Sequence, residues 1–264
     1  MQKEEKKFMD STVFEGMVSI RALLYAQEHS LSDRRIINIL YSKDKLSKIG
    51  KEVAYLRHEA NRKGFFLEET TDEALDKITL GNSHGGLVAR CSSRTIPLLK
   101  DHIDELDPHG FYVMIEGIED PYNFGYALRS FYALGVDGVI LSERNWMSAA
   151  GVVSRASAGA SERFTLYTAP ADEAARLFKS IGYTVVCADL ETEDALESTA
   201  LPTPLLLIVG GEKRGISRAV LAQADKIVKI SYGREFSASL SAASAATIIA
   251  YEIAKQRKER TIQQ

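Results

Sequence analysis

Leu206-Leu207-Ile208-Val209-Gly210-Gly211-Glu212-Lys213-Arg214-Gly215-Ile216 is the most specific pattern in this chain of 264 residues. Its apolar start, residues 205–209, predicts a strand. Paired glycines at the strand end, then a carboxylate, two cations and a third glycine before a helix, make a loop whose backbone can contact a flat or anionic ligand directly. The glycine spacing matches neither GxxxxGK[ST] nor GxGxxG, which argues against a Walker loop and disfavours a dinucleotide-binding dehydrogenase. Taken alone, the segment reads equally well as a glycine-rich turn with solvated charges.

Working outward, the same alternation of strand and helix recurs on both sides. Strands are predicted at 111–118, 138–141, 164–167, 183–188 and 227–230, and helices at 124–134, 171–180 and 217–223. A last helix over 240–258 is rich in Ala and Ser along one side and suits close packing. The pattern predicts an α/β domain with a mostly parallel sheet covered on both faces, ligands gathering at the carboxyl ends of its strands. Upstream, helices at 14–28, 47–62 and 71–78 alternate with strands at 35–41, 64–67 and 84–91, a small α/β module. Pro97, Pro108 and the acidic run 101–107 mark a linker between them. The expected division is therefore 1–95, linker 96–109, and 110–264.

Composition bounds the function. With 45% hydrophobic and 26% charged residues the chain is ordinary and globular, and a formal charge of −3 supplies no global field to draw in a polyanion. Any nucleic-acid contact has to rest on local clusters, for which Arg34, Arg35, Arg57, Arg62 and Lys63 upstream and Arg144 and Arg155 downstream are the candidates. Each reads also as an ordinary surface charge. Cys91 and Cys187 lie far apart without CxxC spacing, against a zinc site or disulfide framework and in favour of a reducing cytoplasm, with no metal expected. No apolar run approaches the roughly 18 residues of a bilayer span, and the amino terminus lacks the apolar core of a signal peptide.

Two more strand ends carry unusual residues. In Glu116-Gly117-Ile118-Glu119-Asp120-Pro121-Tyr122-Asn123-Phe124-Gly125, Asn123 is suited to cap the following helix, and Arg129 projects from its next turns. An N-cap followed by a surface arginine explains them without any function. In Ile230-Ser231-Tyr232-Gly233-Arg234-Glu235-Phe236-Ser237-Ala238-Ser239-Leu240-Ser241, several hydroxyls precede a small-residue helix, one to cap it and another to face a ligand. Capping alone would account for them, but three such segments occur in order within one domain, each after a strand.

In that order the segments resemble the SpoU/TrmH branch of the SPOUT methyltransferases. NFGYALR (123–129) resembles the family's first motif, IVGGEKRGI (208–216) its second and SLSAASAA (239–246) its third, and the stretch SRASAGA (154–160) is similar to a loop between the first two. Upstream, Gly16 and Val18 with HGGLVA (84–89) resemble the family's amino-terminal RNA substrate-binding domain. The resemblance implies a trefoil knot at the carboxyl end of the sheet, a homodimer, S-adenosyl-L-methionine as cofactor, and methyl transfer to a ribose 2′-hydroxyl of rRNA or tRNA in the cytoplasm. It implies catalytic roles for Asn123, Arg129, Glu212 and Ser239. Val209, Gly210, Gly211, Glu212, Ile230, Ser239 and Leu240 would line the cofactor pocket, and Arg34, Arg35, Arg144 and Arg155 would meet RNA.

One departure matters. Most relatives carry Ser-Leu-Asn where this chain has Ser239-Leu240-Ser241, and the proline usual after the last strand is replaced around Ser231. A serine hydroxyl is shorter than an Asn amide and offers one donor where the amide offers two. The alternative is accordingly a weakly active or non-catalytic RNA-binding relative that retains the cofactor pocket. An α/β enzyme acting on a small nucleotide is a third reading, and it leaves the amino-terminal module without a purpose.

Overall fold

The computed structural model describes residues 12–80, 83–118, 120–142, 146–211 and 214–263. In chain order the elements are β1 (Val13–Glu15), α1 (Gly16–Glu28), β2 (Ile36–Ser42), α2 (Leu46–Lys63), β3 (Phe66–Thr70), α3 (Asp72–Asp76) and β4 (Leu87–Cys91). Then follow β5 (Phe111–Glu116), α4 (Pro121–Ala133), β6 (Gly138–Leu141), α5 (Ala150–Ala156), α6 (Ala160–Arg163) and β7 (Thr165–Thr168). The remainder is α7 (Ala171–Ser180), β8 (Thr184–Ala188), β9 (Leu205–Gly210), α8 (Arg218–Leu221), β10 (Lys226–Val228) and α9 (Ala242–Gln263). No helix among the described residues is long and apolar enough to cross a membrane.

The chain forms two compact units, one drawn from Met1–Thr95 and Trp146–Arg163, the other from Ile96–Asn145 and Phe164–Gln264. In the first, a four-stranded sheet runs in the order β1-β4-β2-β3, antiparallel except for the β2/β3 pair. Phe14 and Glu15, expected in a helix, are instead extended and with Val13 pair with Val88, Ala89 and Arg90 of β4, so α1 begins only at Gly16. The longer α2 stops at Gly64, whose φ of +79° lets its N–H close back on the Ala60 carbonyl. Phe14, Ile20, Leu23, Ile39, Leu56 and Leu75 are buried between helices and sheet.

Residues 150–163, expected within the second domain, form α5 and α6 with a turn between them and pack in the first unit. Small residues make this possible: a Cβ on Gly151 would come 2.0 Å from the Val13 carbonyl oxygen, and one on Gly159 would come 2.5 Å from the Ala22 Cβ. The expected linker is also corrected, since Leu99 and Leu106 are buried in the core of the second unit and Pro97 accepts the Thr168 N–H at 2.9 Å.

The second unit is a six-stranded sheet, all parallel, in the order β10-β8-β9-β5-β6-β7. Central strands β9 and β5 are apolar over residues 205–209 and 111–115 because both faces are covered. On one face Phe178 of α7 stacks edge-on against Tyr183 and packs on Tyr112, and on the other α9 lies against α4 and β9. The order departs from the chain order between β5 and β9, so the ends of β5, β8, β9 and β10 meet at one place, where ligands of such sheets collect.

Candidate functional site

A cavity of about 300 Å³ lies beyond the ends of β8, β9 and β10. Its walls include Val209, Gly210, Gly211, Ile230, Ser239 and Leu240, residues drawn from two loops far apart in sequence. Glu212 lies outside the described residues. Asp189 and Glu191 from the loop after β8, and Tyr232, also line the cavity and were not anticipated from the sequence. Asp189 follows a predicted strand directly, which is the signal that pointed to the others.

Two glycines shape the cavity floor. The backbone of Gly211 passes so close to the loop after β5 that a Cβ would stand 2.1 Å from the Gly117 carbonyl oxygen. A Cβ on Gly210 would stand 2.3 Å from the Gly215 carbonyl carbon. Gly215 itself turns with φ +60° and donates its N–H to the Gly211 carbonyl at 3.0 Å, closing the loop on itself. Beside this crossing, Glu116 pairs in register with Gly210, and its buried Oε2 has no hydrogen-bond partner among the described residues.

The loop from β10 to α9 forms the opposite wall. Ser241, not Ser239, caps α9: its hydroxyl oxygen accepts the Ser244 N–H at 3.2 Å, and its carbonyl accepts the Ala245 N–H at 2.9 Å. Ser239 is exposed at the cavity edge. The Tyr232 hydroxyl accepts the Leu240 N–H at 3.0 Å and thereby ties the two ends of the loop together. Ser231 donates to Glu197 at 3.0 Å, and that carboxyl sits below its ordinary range because its own backbone N–H, followed by the Ser231 hydroxyl, hydrogen-bonds it. Behind the cavity, burial pushes the Cys187 thiol up to about 12.

At the start of α4 the cap is Asp120, which accepts the Asn123 N–H at 2.9 Å, with Pro121 following at the first helical position. Asn123 is thus not the cap, and its side chain makes no hydrogen bond among the described residues. Arg129, one and a half turns on, is exposed and likewise unpaired among the described residues. Neither lines the cavity.

The expected basic residues separate sharply. Arg34 is buried, its Nε 3.2 Å from Glu162 Oε2 and its guanidinium 4.8 Å over the Phe14 ring, so it serves the core of the first unit and cannot meet an RNA. Arg155 is held by Glu15 at 2.8 Å and by Ser83. Arg62 is shared between Glu59 and Glu28, whereas Arg35 and Arg57 are exposed. Arg144 lies outside the described residues.

The model of the SpoU rRNA Methylase family matches residues 110–251. The chain belongs to this family. It is 25% identical over 232 residues to a putative TrmH family tRNA/rRNA methyltransferase, YacO, of Bacillus subtilis, covering 86% of this chain and 90% of that relative. Among solved structures, an RNA 2′-O ribose methyltransferase superposes with a TM-score of 0.74 at 21% identity, over 93% of this chain and 88% of the other. The SpoU methyltransferase AviRb of Streptomyces viridochromogenes, solved in complex with AdoMet, also gives 0.74, at 22% identity over 93% and 90% of the two chains. These structural likenesses establish the fold. The family match spans the whole second sheet and all of the cavity's loops.

Proposed function

We propose that this SpoU-family chain transfers the methyl group of S-adenosyl-L-methionine to a ribose 2′-hydroxyl of rRNA or tRNA. The observation that carries the proposal is the convergence of the second and third motifs on one cavity whose floor admits no side chain at Gly210 or Gly211. A cavity with apolar walls at Val209, Ile230 and Leu240 and carboxylates at Asp189 and Glu191 fits a cofactor that carries a flat adenine, a ribose and an ammonium group. When bound, that cofactor supplies a sulfonium whose methyl is already electrophilic.

What remains for the protein is positioning and removal of a proton. A guanidinium is a poor base, so the role of Arg129 is to clamp a phosphate next to the reacting ribose. Asn123, released from capping by Asp120, has a free amide to orient the ribose. Ser239, at the cavity edge, or a water beside it relays the hydroxyl proton, and Glu212 orients the glycine loop or supports the substrate side. Arg35 and Arg57 are exposed and in no ion pair among the described residues, so they are available for phosphate contacts. We further infer that the carboxyl-terminal segment is tucked through the loop after β8 as a trefoil knot, a reading supported by the Lys229 backbone pairing with both Asp194 and Leu196. A homodimer is supported by the exposed Tyr126 of α4 and Tyr251 of α9 on helices that pack together. The weaker reading, a non-catalytic relative, rested on Ser241, and its capping bond is one that Asn also makes.

Calorimetric titration with S-adenosylmethionine and S-adenosylhomocysteine tests the cavity, and labelled-methyl transfer onto rRNA and tRNA tests the reaction. Saturable binding and label resistant to alkali-cleavage at the modified ribose are expected. Arg129→Ala should abolish transfer and Arg129→Lys retain part of it; wild-type turnover in Arg129→Ala removes Arg129 from the mechanism.

A further inference from the structure

The loop between Ile230 and Leu240 carries more than the cofactor wall. On its outer side a second, wider concavity of about 840 Å³ is formed by Leu190, Lys229, Tyr232, Phe236, Ser237 and Ser239. It shares Leu190, Lys229, Tyr232 and Ser239 with the cofactor cavity, so whatever lies in one is next to the other. Phe236 is 60% exposed, and its ring stands 6.1 Å from that of Tyr232 at an interplanar angle of 56°. The Tyr232 ring is fixed by the bond of its hydroxyl to Leu240, which leaves Phe236 as the open face of the pair.

We propose that Phe236 is a stacking platform for an unpaired nucleobase of the RNA, next to the nucleotide that is methylated. This rests on the function proposed above and adds a specificity-determining contact to it. The surroundings suit a nucleotide: an aromatic face for the base, hydroxyls of Ser237 and Ser239 at its edge, and cations for the phosphate. Lys229 lies at the rim, 3.6 Å from the fully exposed Glu193, and Arg234 is exposed without a partner among the described residues. Stacking on an aromatic ring accepts any base, so the contact selects for an unpaired conformation rather than for sequence.

The test uses the full chain saturated with S-adenosylhomocysteine and a short single-stranded oligoribonucleotide carrying 2-aminopurine, whose fluorescence is quenched on stacking. Phe236→Ala should weaken binding of this probe about ten-fold and abolish the quench, and Phe236→Tyr should retain both. Affinity for S-adenosylhomocysteine should stay unchanged in both variants. Probe binding and quench left intact by Phe236→Ala overturn the subsite alone. A loss of S-adenosylhomocysteine affinity in Phe236→Ala assigns the ring to the cofactor and also overturns it. Wild-type protein that binds S-adenosylhomocysteine but no RNA overturns the subsite together with the RNA substrate.

Discussion

Replacing Gly211 with alanine puts a methyl carbon 2.1 Å from the Gly117 carbonyl oxygen, 2.5 Å from its carbonyl carbon and 3.0 Å from the Glu116 carbonyl oxygen. The first of these is over 1 Å short of an ordinary non-bonded separation. All three atoms are backbone at the end of β5, a strand hydrogen-bonded on both sides, so no rotamer change relieves the clash. The loops must move apart, at a cost at or above the upper end of the ~1–3 kcal/mol usual for overpacking. The control is Gly215→Ala, four residues on, where nothing lies within 4 Å and only the φ of +60° is unfavourable. It should cost about 1 kcal/mol, the ordinary penalty for a left-handed alanine. Urea unfolding gives the stabilities, and titration with S-adenosylhomocysteine on the folded proteins gives the affinity. Gly211→Ala is expected to lose at least about 3 kcal/mol and its measurable ligand binding. A Gly211→Ala protein as stable as Gly215→Ala and with wild-type affinity would refute the claim that this crossing builds the cavity.

Three other outcomes follow from contacts in the structure. Ser241→Ala should destabilise the protein by about 1 kcal/mol in thermal unfolding, and Ser241→Asn by no more than a few tenths, since both Ser and Asn cap helices well. Glu162→Ala leaves the buried Arg34 without its carboxylate, with Arg94 also nearby, and should cost about 3–5 kcal/mol, whereas a loss near zero would mean Arg34 finds other acceptors. Burial pushes the Cys91 and Cys187 thiols up to about 12, so a thiol reagent at mildly alkaline pH should label neither until denaturant is added. Rapid labelling of the native protein would contradict their burial.

The parallel sheet was legible because a strand covered on both faces is written as an unbroken apolar run, as in residues 111–115 and 205–209. Strand β1 was not, because three residues carry no period of their own and owe their conformation to pairing with β4, some seventy-five positions later. Helices α5 and α6 were missed for a related reason: Ala, Ser and Gly give a weak hydrophobic period, and their signal is the absence of side chains where Val13 and Ala22 approach. The cap of α4 was misassigned although the clue was present. Proline favours the first helical position, which makes Asp120, just before Pro121, the cap. Arg34 and Arg35 read as one basic pair, yet neighbours on an extended chain point to opposite sides, and only Arg35 reaches solvent.

These misassignments bear on how the site is built. Once Asp120 takes the cap of α4 and Ser241 the cap of α9, the motif residues Asn123, Arg129 and Ser239 are left with no side-chain hydrogen bond among the described residues. The cavity floor is held by backbone, through the Gly211 crossing over Gly117 and the Gly215 to Gly211 bond, while the opposite wall is tied by the Leu240 N–H on the Tyr232 hydroxyl. A floor made of backbone cannot change rotamer, so it can hold a ligand in one orientation without ordering side chains on binding, which is the requirement when catalysis consists mainly of alignment. On the proposed reading the third motif should tolerate serine for asparagine at position 241, because Ser241 acts there as a helix cap that either residue provides.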